Sequence, residues 1–203
     1  MTWPPDIGRP WYYSDDAVCI AHADCRDVLP LLPKVDLVLT DPPYPDDPNG
    51  YAPCSIGILG TLDCRQFVFW SSKVEFPLDY TAIHIWDKLT GCASEYERLF
   101  ERKGHVNFKM FRSYFINSTV AAQYNHDIFT GHPSQKPLIL VKNILLYAGN
   151  QQVILDPFCG SGTTLRAAKD LGRRAIGIEI ELKYCEIAAK RMSQSVMRLG
   201  VVA

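Results

Sequence analysis

Val35-Asp36-Leu37-Val38-Leu39-Thr40-Asp41-Pro42-Pro43-Tyr44 is the stretch on which the reading of this chain turns. The apolar run over 35–39 has the length and composition of a strand buried on both faces, and Thr40–Tyr44 stands at its tip. The chemistry of that tip is unusual. Asp41 projects a charged acceptor, Pro42 and Pro43 lack N–H donors and stiffen the backbone, and Tyr44 adds an aromatic face. Because Pro43 removes the amide that would otherwise claim it, a carbonyl here is free to point outward. Such a surface accepts two hydrogen bonds from one planar NH2 group and stacks the ring that carries it. Taken alone, the same five residues also describe a proline-stiffened turn, so the rest of the chain has to decide.

Upstream, residues 17–21 (AVCIA) form a short apolar strand, 22–27 a turn, and 28–32 a brief helix stopped by Pro33. With the strand over 35–40 this predicts a parallel strand–helix–strand unit. Residues 1–16 carry three prolines and read as an irregular arm whose Trp3, Trp11, Tyr12 and Tyr13 cover a surface or a partner subunit. Downstream, 45–62 is rich in Pro, Gly and Asp and predicts a long loop with one helical turn beside the candidate site. Residues 66–71 and 82–86 have strand character, and 96–100 reads as a strand or a helix end. Arg98, Arg102, Lys103, His105, Lys109 and Arg112 follow, interleaved with Phe108, Phe111 and Tyr114 and diluted by Glu95, Glu97 and Glu101.

A second strand tip carries equally specific chemistry. A helix is expected over 138–148, between Pro137 and Gly149, and then a strand from Val153 runs into Asp156-Pro157-Phe158-Cys159-Gly160-Ser161-Gly162-Thr163-Thr164. A helix over 165–171, a strand over 174–180 bearing Glu179, and an amphipathic helix over 183–199 complete the chain. Glycines let the loop turn sharply and admit a ligand, while the helix N-terminus offers free N–H groups to an anion. An acid at the end of the next strand is placed to accept from ribose hydroxyls. The loop is not GxGxxG, so a small anion such as an amino-acid carboxylate is favoured over a pyrophosphate, which argues against a nucleotide-dependent oxidoreductase. A nucleoside bearing an amino acid fits, namely S-adenosylmethionine.

Composition sets the outer limits. At 203 residues, 47% apolar and 21% charged, the chain is long enough for one domain over 1–203 with a sizeable core. No apolar run approaches the ~20 residues that span a bilayer, and the first sixteen residues lack the pattern of a signal peptide. Seven cysteines without a CxxC pair fit reduced thiols and a cytoplasmic location. Cys54, Cys64 and Cys92 lack zinc-like spacing, so no metal is expected. A net charge of −1 gives no global sign of nucleic-acid binding; DNA as a partner would require locally concentrated positive charge.

Together LTDPPY (39–44), IWDK (85–88), SEYERLF (94–100), HPSQKP (132–137), LDPFCGSGTT (155–164) and GIEI (177–180) followed by Tyr184 resemble the amino-group DNA methyltransferases. The catalytic motif precedes the cofactor motif, as in their permuted β class. RNA and protein-glutamine methyltransferases with a related tetrapeptide usually show the opposite order and Asn first. The resemblance implies a Rossmann-like α/β fold with a mostly parallel seven-stranded sheet, helices on both faces, S-adenosylmethionine as cofactor and DNA as partner. It implies that Asp156, Phe158, Gly160, Ser161, Gly162 and Thr163 hold the methionine end, with Lys136 a carboxylate partner. Glu179 would hold the ribose and Asp24, with Cys25 beside it, the adenine, while Asp41 also borders the cofactor. Family analogy further suggests a homodimer. Residues 103–131 form a short candidate target-recognition segment, and Arg98, Arg102, Lys103, Lys109 and Arg112 are candidate phosphate contacts.

The implied reaction is direct. Asp41 and the Pro42 carbonyl each accept one N–H bond, freeing the amino lone pair for in-line attack on the sulfonium methyl, while Tyr44 stacks a base flipped out of the helix. No cysteine nucleophile is needed, so Cys25 and Cys159 have no catalytic role. Asp at the first position favours adenine N6 over cytosine N4; a decayed, non-catalytic DNA-binding protein would show damaged motifs, and these are intact.

Overall fold

The computed structural model describes residues 2–46, 56–89, 96–113, 130 and 134–194. Among the described residues nine strands form one sheet: β1 (Tyr13–Ser14), β2 (Val18–His22), β3 (Leu37–Thr40), β4 (Arg65–Trp70), β5 (Ala82–Asp87), β6 (Tyr96–Arg102), β7 (Met110–Arg112), β8 (Val153–Asp156) and β9 (Arg174–Glu179). Their spatial order is β1-β2-β9-β8-β3-β4-β6-β5-β7. The run from β2 through β4 is parallel, β6 is antiparallel to both β4 and β5, and β7 is parallel to β5.

The helices are α1 (Cys25–Val28), α2 (Leu138–Ala148), α3 (Thr163–Asp170) and α4 (Leu182–Ser193), with 3-10 turns at Leu29–Leu31 and Ile56–Thr61. Alternation along each strand divides the core. Val18, Ile20, Leu37, Leu39, Phe67 and Phe69 face one way, with residues of α2, α3 and α4. Cys19, Ala21, Val38, Val68, Trp70 and Ile176 face the other, with Val28, Leu29, Ile56, Leu59 and Ile7. Both faces being covered explains why these strands read as unbroken apolar runs.

The expected seven strands become nine through two short edge strands. Asp15 makes the first: its carboxylate accepts from the Ala17 and Val18 amides and turns the chain so that Tyr13 and Ser14 pair with Ile20 and Cys19. Met110–Arg112 adds to β5 at the opposite edge. The predicted strand–helix–strand unit holds in direction but not in adjacency, because β9 and β8 lie between β2 and β3. Residues 96–102 are a strand, not a helix end, since they have β4 and β5 to pair with on either side. The last helix is described to Ser193, and residues 195–199 of the expected span lie outside the described residues. The aromatic arm lies on the chain's own surface, with the Trp3 and Trp11 indoles donating to the carbonyls of Asp15 and Pro5. No helix among the described residues is long and apolar enough to cross a membrane.

Candidate active site

Parallel strands end on the same edge, and here four adjacent ends carry acids or their neighbours. β2 ends at His22 opposite Glu179 of β9, β8 ends at Asp156, and β3 hands over at Thr40 to Asp41. Thr40 joins the two motifs: its buried hydroxyl donates to Asp156 Oδ1 at 2.7 Å. Between them lies a cleft of about 420 Å³, counting its open mouth, lined by Thr40, Asp41, Phe69, Lys136, Asp156 and the Phe158–Ser161 loop among others.

The loop after β8 is shaped by two glycines with left-handed backbones, Gly160 at φ 48° and Gly162 at φ 79°. At Gly162 a Cβ would also come within 3.1 Å of Ala188 Cβ. The loop is fastened at both ends. Gly160 N–H donates to Glu179 Oε2 at 2.8 Å, and Arg191 of α4 donates to Thr163 Oγ1 at 2.9 Å and to the Ser161 carbonyl at 3.4 Å. Asp156 accepts from Thr40 and from the Phe158 amide, yet burial still pushes its carboxyl up to about 6. Burial also raises Glu179, which accepts from the Gly160 and Glu181 amides. Among the described residues no basic side chain pairs with either acid. Asp156 on the cleft and Glu179 at the end of its glycine loop, both buried and answered by amides and hydroxyls, suit a ligand that brings its own positive charge and hydroxyl donors.

Asp41 is clasped from two sides. Tyr44 donates its hydroxyl to Oδ1 at 3.1 Å, and the Lys136 ammonium binds Oδ2. Lys136 is shared: its Nζ lies 3.3 Å from Glu97 Oε2, and Glu97 Oε1 lies 2.9 Å from Lys88 Nζ. Burial holds the Asp41 carboxyl above the usual carboxylate range, Glu97 adds to this, and Lys136 and Tyr44 oppose it. Burial works against the Lys136 charge, but Asp41 and Glu97 more than offset it and keep the ammonium protonated. Burial would likewise raise Glu97, yet Lys136 and Lys88 bring it below its ordinary range. The Tyr44 ring meets Trp70 edge-on at 5.5 Å, and Pro42 is buried.

The structure redistributes the other expected residues. Lys136 lines the cleft and pairs there with Asp41 and Glu97, the acids flanking it. Asp24 caps α1 through the Arg26 amide and pairs with the Arg26 side chain, while Cys25 is buried beside it. Burial pushes the Cys159 thiol well up. Two of the expected phosphate contacts are corrected outright. Arg98 folds back onto the carbonyls of Ser71 and Val74, and Arg102 is 2% exposed, bound to Gln66, Asp79 and the Leu59 carbonyl. Because β6 is antiparallel, Lys103 also falls on the far edge, paired with Asp63 ahead of β4. Lys109 is exposed ahead of β7, and Arg112, paired with Asp87, stands on the sheet edge that carries Asp41 and Asp156. Tyr114, His132, Cys54, Cys92 and most of the 103–131 segment lie outside the described residues. Glu97, Lys88 and Thr40 were missed as site residues; the first two sat in SEYERLF and IWDK, quoted for their resemblance without a role.

A carboxylate-and-aromatic tip, a glycine loop and a second acid thus meet at one edge of an α/β sheet. A family model described as DNA methylase matches residues 65–190, and the chain belongs to that family. Over 62 residues it is 53% identical to the Type II methyltransferase M2.DpnII of Streptococcus pneumoniae, covering 30% of this chain and 23% of that protein. Over 71 residues it is 42% identical to the DNA adenine methyltransferase YhdJ of Escherichia coli (strain K12), covering 34% and 24% respectively. The matched stretches thus span about a quarter of those relatives' lengths. Among solved structures, M1.HpyAVI in complex with SAM is 25% identical with a TM-score of 0.59, over 87% of this chain and all of that one. The cytosine-N4-specific PvuII DNA methyltransferase shares the fold, with a TM-score of 0.68 at 14% identity over 94% of this chain and 91% of that one.

Proposed function

We propose that this chain transfers a methyl group from S-adenosylmethionine to the exocyclic amino nitrogen of a base in DNA, and that the base is adenine. The observation that carries the reading is the 2.7 Å bond from Thr40 to Asp156, which sets the amine-gripping tip against the cofactor loop. Asp156, with the Phe158–Thr163 loop, would hold the methionine end of the cofactor, and Glu179 the ribose. When bound, the cofactor supplies an electrophilic methyl on a sulfonium.

The chain's own residues do the rest. An amino group conjugated to an aromatic ring is a poor nucleophile because its lone pair is delocalised. Asp41, accepting one N–H with the Pro42 carbonyl accepting the other, draws the nitrogen toward tetrahedral geometry and stabilises the positive charge that develops on it. Tyr44 offers a stacking face to the extruded base and offsets an unstacking cost of a few kcal/mol. Arg112, on the catalytic edge, and exposed Lys109 are the described basic residues offered to phosphates. Asp at the first tetrapeptide position and the adenine-specific relative support adenine over cytosine.

The deciding experiment incubates purified protein with DNA and methyl-labelled cofactor, digests the DNA to nucleosides and identifies the product by mass. N6-methyldeoxyadenosine is expected. N4-methyldeoxycytidine would replace the base assignment, and an unlabelled nucleoside pool would overturn the reading.

A further inference from the structure

Two stretches that resemble the family, IWDK and SEYERLF, have no part in the mechanism above, yet each sends one charged side chain to its centre. Lys88 follows β5, Glu97 opens β6, Lys136 precedes α2, and Asp41 follows β3. Trp86 pairs with Glu97 across β5 and β6, which brings Lys88 and Glu97 to the same edge as Asp41. The four form one line of alternating charge: Lys88 to Glu97 at 2.9 Å, Glu97 to Lys136 at 3.3 Å, and Lys136 to Asp41. Each ammonium also lies over an aromatic ring, Lys88 over Trp86 at 5.1 Å and Lys136 over Phe69 at 5.0 Å, which limits where it can swing.

The arrangement addresses a conflict inside the proposed site. Asp41 must accept a hydrogen bond from the target amine, but Tyr44 and Lys136 already occupy its two oxygens. An ammonium committed to Asp41 alone would be a strong competitor for that oxygen; one divided between two carboxylates is a weaker one. We propose that Glu97 is a positioning residue for methyl transfer: it takes a share of the Lys136 ammonium, is itself restrained by Lys88, and so leaves Asp41 available to the amine. The proposal rests on the reading of Asp41 as the amine acceptor.

Among the described residues, the titratable groups facing Asp41 are Lys136, Tyr44, Glu97 and, across Thr40, Asp156; those facing Glu97 are Lys136, Lys88 and Asp41. Glu97→Gln removes an anion near Asp41 and turns Lys136 wholly onto it, so the acidic limb of the pH–rate profile moves to lower pH. Lys88→Met does the reverse: Glu97 draws harder on Lys136, Asp41 loses part of its counter-charge, and the limb moves to higher pH. Opposite shifts of about half a pH unit or more are expected, since a neighbouring charge at this range moves a carboxyl by about that much or beyond. A merely structural role would not produce opposite signs.

The measurement is the single-turnover rate of methyl transfer to DNA against pH, at saturating cofactor so that titration of Asp156 in the free site drops out. Thermal melts accompany each variant. Glu97→Gln is also expected to lower the rate about tenfold with cofactor affinity unchanged, and Glu97→Asp to restore part of it. Limbs that stay in place, or that move the same way in both variants, overturn the proposal. If Glu97→Gln fails to fold, the upward shift in Lys88→Met decides alone. Asp41→Asn separates the two levels: transfer that survives it rejects the acceptor reading, whereas its loss together with unmoved limbs rejects only the role of Glu97.

Discussion

Asp156 carries a charge that the ligand-free fold would be more stable without. Its carboxyl is pushed up from 3.8 to about 6 by burial, which Thr40, Thr164 and the Phe158 amide offset only in part. A folded-state value above the unfolded one means that the native state binds the proton more tightly. Below about pH 4 both states are protonated and the group costs nothing; the cost develops as pH rises toward 6 and is complete above it. A carboxyl displaced that far destabilises the charged native state by about 3 kcal/mol. Asp156→Asn keeps the shape and one acceptor oxygen and removes the titration. Between pH 5 and pH 8 the parent chain should lose roughly 1–2 kcal/mol relative to the variant, or about 3–6 °C in the difference of melting temperatures for a chain of this size. Urea or thermal melts of both ligand-free proteins at the two pH values test this, because the difference between proteins cancels the titrating groups that do not sense Asp156. A stability difference that is the same at both pH values would refute the reasoning. In the parent, cofactor binding should tighten from pH 5 to 7 as Asp156 ionises to meet a cationic amino group, and in the variant it should be weaker and flat.

Thr40→Val removes the donor to Asp156 and should cost about 1–3 kcal/mol at pH 8, where the carboxylate is charged, and less at pH 5, as read from the same melts. Asp41→Ala should abolish methyl transfer while leaving the cofactor dissociation constant nearly unchanged by calorimetric titration. Arg191→Met leaves the cleft lining intact but unfastens Ser161 and Thr163; cofactor affinity should fall about tenfold, as for loss of a charged hydrogen-bonding group. Gly162→Ala should weaken binding as well, since φ 79° disfavours a side chain and Ala188 stands in its way; limited proteolysis of the loop would report the disturbance.

Much of the site was legible because its signals are local. Asp41 and Asp156 each follow an apolar run at a strand tip, and the glycines of the 160–162 loop announce a backbone that other residues resist. The helix over 138–148 was legible from its apolar spacing and its Pro and Gly bounds. Non-local facts were hidden. Nothing near Glu97 says that its strand runs opposite to β4, so an acid at a strand's start looks like dilution of a basic stretch. For the same reason Arg98, Arg102 and Lys103 pass for a phosphate-binding patch, although Arg98 is bound to loop carbonyls, Arg102 is buried and Lys103 falls on the far edge. The place of β2 was equally hidden, because its partner lies more than 150 residues along the chain, Val18 facing Ala175.

That last pairing bears on how the molecule comes into being. β3 can pair with β4 soon after both are made, but β2 has only the two-residue β1 beside it until residues 174–179 exist. Contacts of such long sequence separation are slow to close, and an apolar strand left open on one side invites pairing with other chains. The insertion of β8 and β9 between β2 and β3 therefore makes the cleft a late product of folding. A chain interrupted before Arg174 would hold Asp41 but neither Glu179 nor the partner of its own first long strand. Its fate would be aggregation or degradation, not partial activity.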